Sequence, residues 1–325
     1  MLTYIVRRIL YAIPILIGVN LITFMLFFVV NTPDDMARMQ LGAKYVTPEA
    51  IENWKIERGY DKPLVLNENK DGWKKFTETI FFEKSIAMFV FDFGQSDDGR
   101  DIGFEIRSRM LPSLAIALPV FVLGLAVYIT CALTMVFFRT TYIDFWGLVL
   151  CVALMSISGL FYIIAGQFLM GKLWHLVPIS GFGTGLDVIK FLVLPVIIGV
   201  VSSAGANTRW YRTIFLEEMG KEYVRTARAK GLSEHLVLSR HVLKNALIPI
   251  LTGAVVVVPL LFLGSLIVES FFGIPGLGSY TIDAINSQDF AVVRAMVFLG
   301  SVLYIVGLIL TDVSYTFVDP RIRLR

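Results

Sequence analysis

Charge is scarce in this chain. Only 17% of the 325 residues are Asp, Glu, Lys or Arg, against about 25% in a soluble domain. Hydrophobic types make up 56%, and the mean hydropathy is +0.72. An ordinary soluble globular protein is excluded, and so is disorder, which needs low hydrophobicity and high charge. Cysteine is nearly missing. Cys131 and Cys151 cannot build a disulfide framework or a four-cysteine zinc site, and both are expected to be buried reduced thiols. The three histidines, His175, His235 and His241, are scattered and point to no metal or catalytic cluster. No G-x-x-x-x-G-K-[ST] occurs, so the chain should not bind ATP by a P-loop. The chain is therefore expected to be no enzyme and to hold no cofactor or metal. The net charge of +3 is read as basic loops on one side of a membrane, not as a nucleic-acid surface.

What is present is long apolar runs. A bilayer core about 30 Å thick needs roughly 20 apolar residues in a helix. Six windows lack Asp, Glu, Lys and Arg: Ile9–Val30, Met110–Phe138, Phe145–Gly171, Phe191–Thr208, Asn245–Val268 and Ala295–Thr311. They predict an all-α membrane protein with six transmembrane helices. The first window is read as an anchor, since it is long for a signal peptide and lacks an A-x-A exit. Arg294 and Asp312 are placed at the two ends of the sixth. Ion-coupled transporters place charges near mid-membrane, so charge-free windows favour an external energy source over a stand-alone secondary transporter or channel.

Lys and Arg orient the chain. Arg7 and Arg8 precede the first window, Arg209–Lys244 holds eight Lys/Arg against four Glu, and Asp319–Arg325 holds three Arg. These clusters share one side, which is assigned to the cytoplasm together with both termini. The Asn31–Arg109 loop, with 12 basic and 15 acidic residues, is then outside; long loops cross whatever their charge. Within it, Thr47 is expected to cap a helix begun by Pro48 and closed by Gly59. Trp73, Phe76, Phe81, Phe82, Phe89, Phe91 and Phe93 follow. They form either a packed cap that meets another protein or a layer against the membrane helices.

The inner segment Glu222–Lys230 is good helix-forming sequence. Gly231 is its expected C-cap, and Ser233 the cap of a second helix running towards Pro249. Tyr223, Ala227 and Lys230 fall on one face. A solvated amphipathic helix would have the same composition.

The run Tyr223–Ser233, followed by His241 and Asn245-Ala246-Leu247-Ile248-Pro249, resembles the cytoplasmic signature of dipeptide/oligopeptide permease subunits of binding-protein-dependent ABC importers. Other family-like pieces keep the family's order. They include Tyr4–Leu10, Pro48–Ile51, Phe91–Ser96, Leu111-Pro112-Ser113, Phe272–Gly278, Asp283-Ala284-Ile285, Asp289-Phe290 and Asp319–Arg323. The resemblance implies the type I importer permease fold. Its parts would be a first helix at 1–30, an extracytoplasmic insertion at 31–109, a permease core at 110–318 with a coupling loop at 209–247, and a tail at 319–325.

The resemblance also implies partners: a second related permease, two cytoplasmic ATPases, a solute-binding protein and membrane lipid. The cargo would be short peptides. Glu222, Tyr223, Arg225, Ala227, Arg228, Lys230 and Gly231 would dock on the ATPase. Tyr223 would anchor, Ala227 would allow close approach, and the basic residues would steer towards acidic groups. Phe272, Gly273, Pro275, Gly276 and Gly278 would form a gate loop facing the binding protein. Arg225 stands where the wider superfamily has Glu, so Glu-specific contacts do not carry over.

Overall fold

A computed structural model describes residues 2–42 and 46–318. The expected tail 319–325, with its three Arg, lies outside the described residues. The chain divides into two units, each described by itself: residues 1–109 with 280–309, and residues 110–279 with the segment from 310. Residues 280–309 thus group with the N-terminal part, not with 110–279. Among the described residues the elements are helical, apart from one isolated bridge between Gln95 and Asp101.

In the first unit, α1 (Leu2–Phe24) continues as a π turn through Val30. The helix α2 (Pro33–Leu41) opens with a capping box between Thr32 and Asp35. Then α3 (Pro48–Arg58) starts as the sequence predicts. The Thr47 side chain accepts the Ala50 N–H, Pro48 is at the first position, and Gly59 is left-handed at φ 67°. A short α4 (Lys74–Thr77) follows. Phe24, Phe28, Met36, Ile51, Trp54 and Ile80 are buried together. Asn20 ties α1 to the loop by donating to the Ser85 carbonyl at 3.1 Å.

The aromatic stretch divides between its two readings. Phe81 meets Phe24 edge-on at 4.9 Å, and Phe89 meets Phe298 at 5.3 Å. These are packing contacts. Trp73 is 85% exposed and Phe76 also faces out.

The second unit contains most of α5 (Ile102–Phe137). Here the third window departs from expectation. Instead of one straight span it forms α6 (Tyr142–Ser156) and α7 (Gly159–Gly166, continuing as a π turn to Leu173), bent by 90°. Ile157 and Ser158 have extended backbone at the break. Ser and Gly are weak helix formers, since the hydroxyl competes for backbone groups and Gly gains backbone freedom. Among the described residues, five helices are long and apolar enough to cross a membrane, or up to six if the bent pair is one span.

The helix α8 (Val188–Met219) overruns the fourth window at both ends. It packs on α6 where Gly205 lies against the Cys151 carbonyl; a Cβ there would sit 2.4 Å from that oxygen. Next come α9 (Glu222–Ala229) and α10 (Glu234–Leu236), which continues into α11 (Leu243–Val257). The fifth window also breaks. Its helix ends at Leu263, Gly264 turns the chain at φ 69°, and α12 (Leu266–Phe272) begins anew.

The helices α13 (Leu277–Ser287) and α14 (Phe290–Val318) close the chain. Arg294 lies inside α14 and is 3% exposed, not at a solvated helix end. The thiols differ from expectation: Cys151 is buried but Cys131 is exposed.

Asp144 and Arg212 form an ion pair that the sequence reading missed. The guanidinium donates to both carboxylate oxygens, at 2.8 and 2.7 Å, and joins α6 to α8. Asp144 had counted only as the boundary of the third charge-free window, and Arg212 only as one of the basic residues that orient the chain.

Candidate functional site

Two features of the second unit bear on function. The first is a cavity of about 630 Å³ between α5, α8 and α11. Its lining includes Phe121, Tyr128, Ser202, Asn207 and Trp210, and Glu269 stands at its edge. A mostly apolar wall with a few hydroxyl and amide groups suits a small solute.

Glu269 is fully buried. Burying a carboxylate is costly unless donors surround it. Here Oε1 accepts the Ser265 N–H and Oε2 the Ser279 N–H, each at 3.1 Å. The Ser113 hydroxyl also donates to it, while accepting the Leu277 N–H at 2.8 Å. Two glycines make room. A Cβ on Gly264 would stand 1.8 Å from Oε1, and one on Gly276 2.2 Å from Oε2. Gly278 lies against the Ser265 carbonyl, with 2.6 Å left for a Cβ.

The Gly-rich loop that carries the expected gate residues is partly buried within this unit. Phe272, Gly276 and Gly278 are buried, and only Gly273 and Pro275 face out. Phe272 packs with Ile116, Leu194 and Ile198, and its carbonyl accepts the Gly181 N–H at 2.7 Å. The loop encloses a carboxylate. Glu269 bounds the fifth charge-free window, which was its one sequence signal; its distant partner Ser113 belongs to the family-like piece Leu111-Pro112-Ser113, which does not link it to Glu269.

The second feature is the α9 turn. Gly231 has φ 77° with open space around it, so only the left-handed backbone demands glycine there. Ser233 sits at the start of α10 without a side-chain cap bond. The expected face of Tyr223, Ala227 and Lys230 is divided. Ala227 is 4% exposed and packs with Val224, Phe215 and Val242. Tyr223 packs against the same cluster, and its hydroxyl donates to Glu218. Burial, helped by the Glu218 carboxylate, pushes the Tyr223 hydroxyl up to about 12.

Both side chains therefore hold α9 to its own unit, because the strongly apolar positions of a short helix are drawn to the nearest core. Arg228 is engaged too. It donates to both oxygens of Glu234, at 3.0 and 2.7 Å, across the Gly231 turn. That bond holds the Glu234 carboxyl below its usual range. The outward face consists of Glu222, Arg225, Thr226, Ala229 and Lys230, with Arg225 bonded to Glu222 at 2.7 Å. Among the described residues no group of three or more His, Cys, Asp or Glu could hold a metal ion.

Comparison with known proteins agrees with this architecture. Residues 104–324 match the family described as the inner membrane component of binding-protein-dependent transport systems. Residues 1–94 match the N-terminal part of such membrane components. A Brucella abortus relative, provisionally named as the permease of a peptide transport system, is 31% identical over 99% of both chains. The dipeptide transport system permease protein DppB of Escherichia coli is 28% identical, again over 99% of both. The glutathione transport system permease protein GsiC of Salmonella paratyphi A is 29% identical over the whole of both. With its long apolar helices, the chain is a multi-pass inner-membrane permease and belongs to the family of binding-protein-dependent ABC importers.

Proposed function

We propose that this permease imports short peptides, delivered by an extracytoplasmic solute-binding protein and driven by two separate cytoplasmic ATPases, with a second related permease completing the pore. The chain itself hydrolyses no ATP. The observation that carries the reading is end-to-end similarity to proteins named for peptide, dipeptide and glutathione transport. The cavity of about 630 Å³ supports it, being sized for a small peptide. The decisive experiment reconstitutes the chain with its partners in vesicles and measures ATP-dependent uptake of labelled dipeptides. Uptake that needs no ATPase would overturn the reading.

Both termini, the 209–247 loop and the 319–325 tail are assigned to the cytoplasm, and 31–109 to the outside. Asn67 is buried, so Asp71 and Ser233, both exposed, are the better labelling sites. In a chain whose exposed Cys131 and buried Cys151 are replaced by Ser, cysteine at Asp71 should react with an impermeant maleimide on intact cells. Cysteine at Ser233 should react only after the membrane is opened. The reverse pattern would turn the topology over.

The outward face of α9 is the proposed ATPase contact, and the Gly231 turn with its Arg228–Glu234 brace makes the segment a stiff lever. Ala229→Trp places bulk on this face without touching the core. It should lower transport and stimulated ATPase activity at least tenfold, leaving melting temperature unchanged. Ala227→Trp, in contrast, should lower stability directly by overpacking, roughly 1–3 kcal/mol. Normal coupling in Ala229→Trp would leave α9 as a solvated helix.

A further inference from the structure

We propose that the unit formed by residues 1–109 and 280–309 carries a second ligand site, which takes the carboxylate of a short zwitterionic peptide on Lys84 and Arg294. The peptide identity rests on the importer reading; the charge chemistry rests on the geometry alone.

The site is a polar cavity of about 550 Å³, separate from the one between α5, α8 and α11. Its lining is buried at Tyr60, Ser96 and Arg294, and exposed at Glu57 and Asp92. Arg294 is 3% exposed. One face of its guanidinium lies over the Phe28 ring at 4.7 Å, and Nε donates to the Phe290 carbonyl at 3.3 Å. Nη1 is buried and has no partner among the described residues. A guanidinium has no neutral form to retreat to near neutral pH, and a buried donor without an acceptor is unfavourable.

Nearby acids do not supply that acceptor. Asp97 is bonded to Arg58 at 2.8 Å, and Lys62 takes Glu83. Asp289 accepts the N–H groups of Asp97 and Val292.

Lys84 lines the same cavity. Its Nζ lies 5.6 Å from the Tyr60 ring centre. No carboxylate stands within ion-pair distance of it among the described residues. Burial, and then the charge of Arg294, hold this amine below the usual lysine range. Two like charges left facing one cavity are the arrangement that an oxyanion stabilises. The rim fixes which oxyanion. Exposed Glu57 and Asp92 repel a dianionic phosphate and attract an ammonium group. Cations inside and carboxylates at the mouth match a zwitterion whose carboxylate enters first. The volume suits a di- or tripeptide.

The test uses the full chain in phosphatidylcholine nanodiscs and calorimetric titration with dialanine. Dialanine should bind, and its C-terminal amide at least tenfold more weakly. Inorganic phosphate should bind more weakly than dialanine. Lys84→Met and Arg294→Gln should each reduce dialanine affinity at least tenfold. Should Arg294→Gln fail to fold, Lys84→Met alone decides, since Lys84 is only partly buried. No dialanine binding, equal binding of the amide, tighter binding of phosphate, or wild-type affinity in folded Lys84→Met would each overturn the site. The importer reading fails separately. Dipeptide uptake by the reconstituted assembly with no binding here sinks only this site, and binding here with no uptake sinks the importer.

Discussion

Gly264→Ala is expected to destabilise this permease severely and to abolish transport. Two effects add. The residue holds φ 69° and ψ −166°, a region essentially reserved for glycine, and a side chain there costs about 1–3 kcal/mol. The new Cβ would also stand 1.8 Å from Oε1 of Glu269. The carboxylate must then leave the Ser265 N–H, and a hydrogen bond to a charged group contributes about 1.5–3 kcal/mol. Together the loss is roughly 2.5–6 kcal/mol. Glu269→Gln tests the same cradle without adding bulk. The carboxylate receives N–H donors on both oxygens, whereas an amide offers one acceptor and turns its own N–H₂ onto a donor. Gly18→Ala is the control, because nothing lies within 4 Å of that Cβ. Thermal unfolding in detergent and peptide uptake should fall for Gly264→Ala and Glu269→Gln and stay unchanged for Gly18→Ala. Wild-type behaviour in all three would mean that the cradle holds nothing of consequence.

The second large effect is expected at Asp144. Its side chain is 10% exposed and that of Arg212 is 17% exposed. Removing one partner of such a pair leaves a poorly solvated charge, at a cost of about 3–5 kcal/mol. Asp144 also lies in the first turn of α6, where the helix dipole favours an anion. Asp144→Ala should therefore lower the unfolding temperature by several degrees and reduce the amount of folded protein in the membrane. Arg212→Lys should do the same more mildly, since an ammonium cannot make the parallel pair of bonds. Exchanging the two residues should recover part of the loss, though not the dipole share. A swap no better than the sum of its single changes would show that the pair is not coupled.

Local features were legible in the sequence because they depend on residues three or four apart. Thr47, Pro48 and Gly59 bound α3 as the cap rules require, and Gly231 takes its left-handed turn after α9. Charge-free runs marked the membrane segments, because a charge in hydrocarbon is penalised wherever the fold places it. Straightness could not be read from the same runs. Ile157 and Gly264 interrupt apolar windows that contain no charge to mark a break.

By itself, the sequence determined the class of the molecule: a helical membrane permease, with a helix and glycine turn after α8. Only the tertiary structure decided which side of each helix does what. Ala227 and Tyr223 face inward because the apolar positions of α9 meet the cluster built by α5, α8 and α11. Arg228 is spent on Glu234, six residues away across a turn. Glu269 acquires its meaning from Ser113, Gly264, Gly276 and Ser279, which the fold collects from separate elements. The physical reason is range. Capping and insertion are settled within one turn or one span, whereas satisfying a buried charge needs donors from distant parts of the chain, and no local pattern announces them.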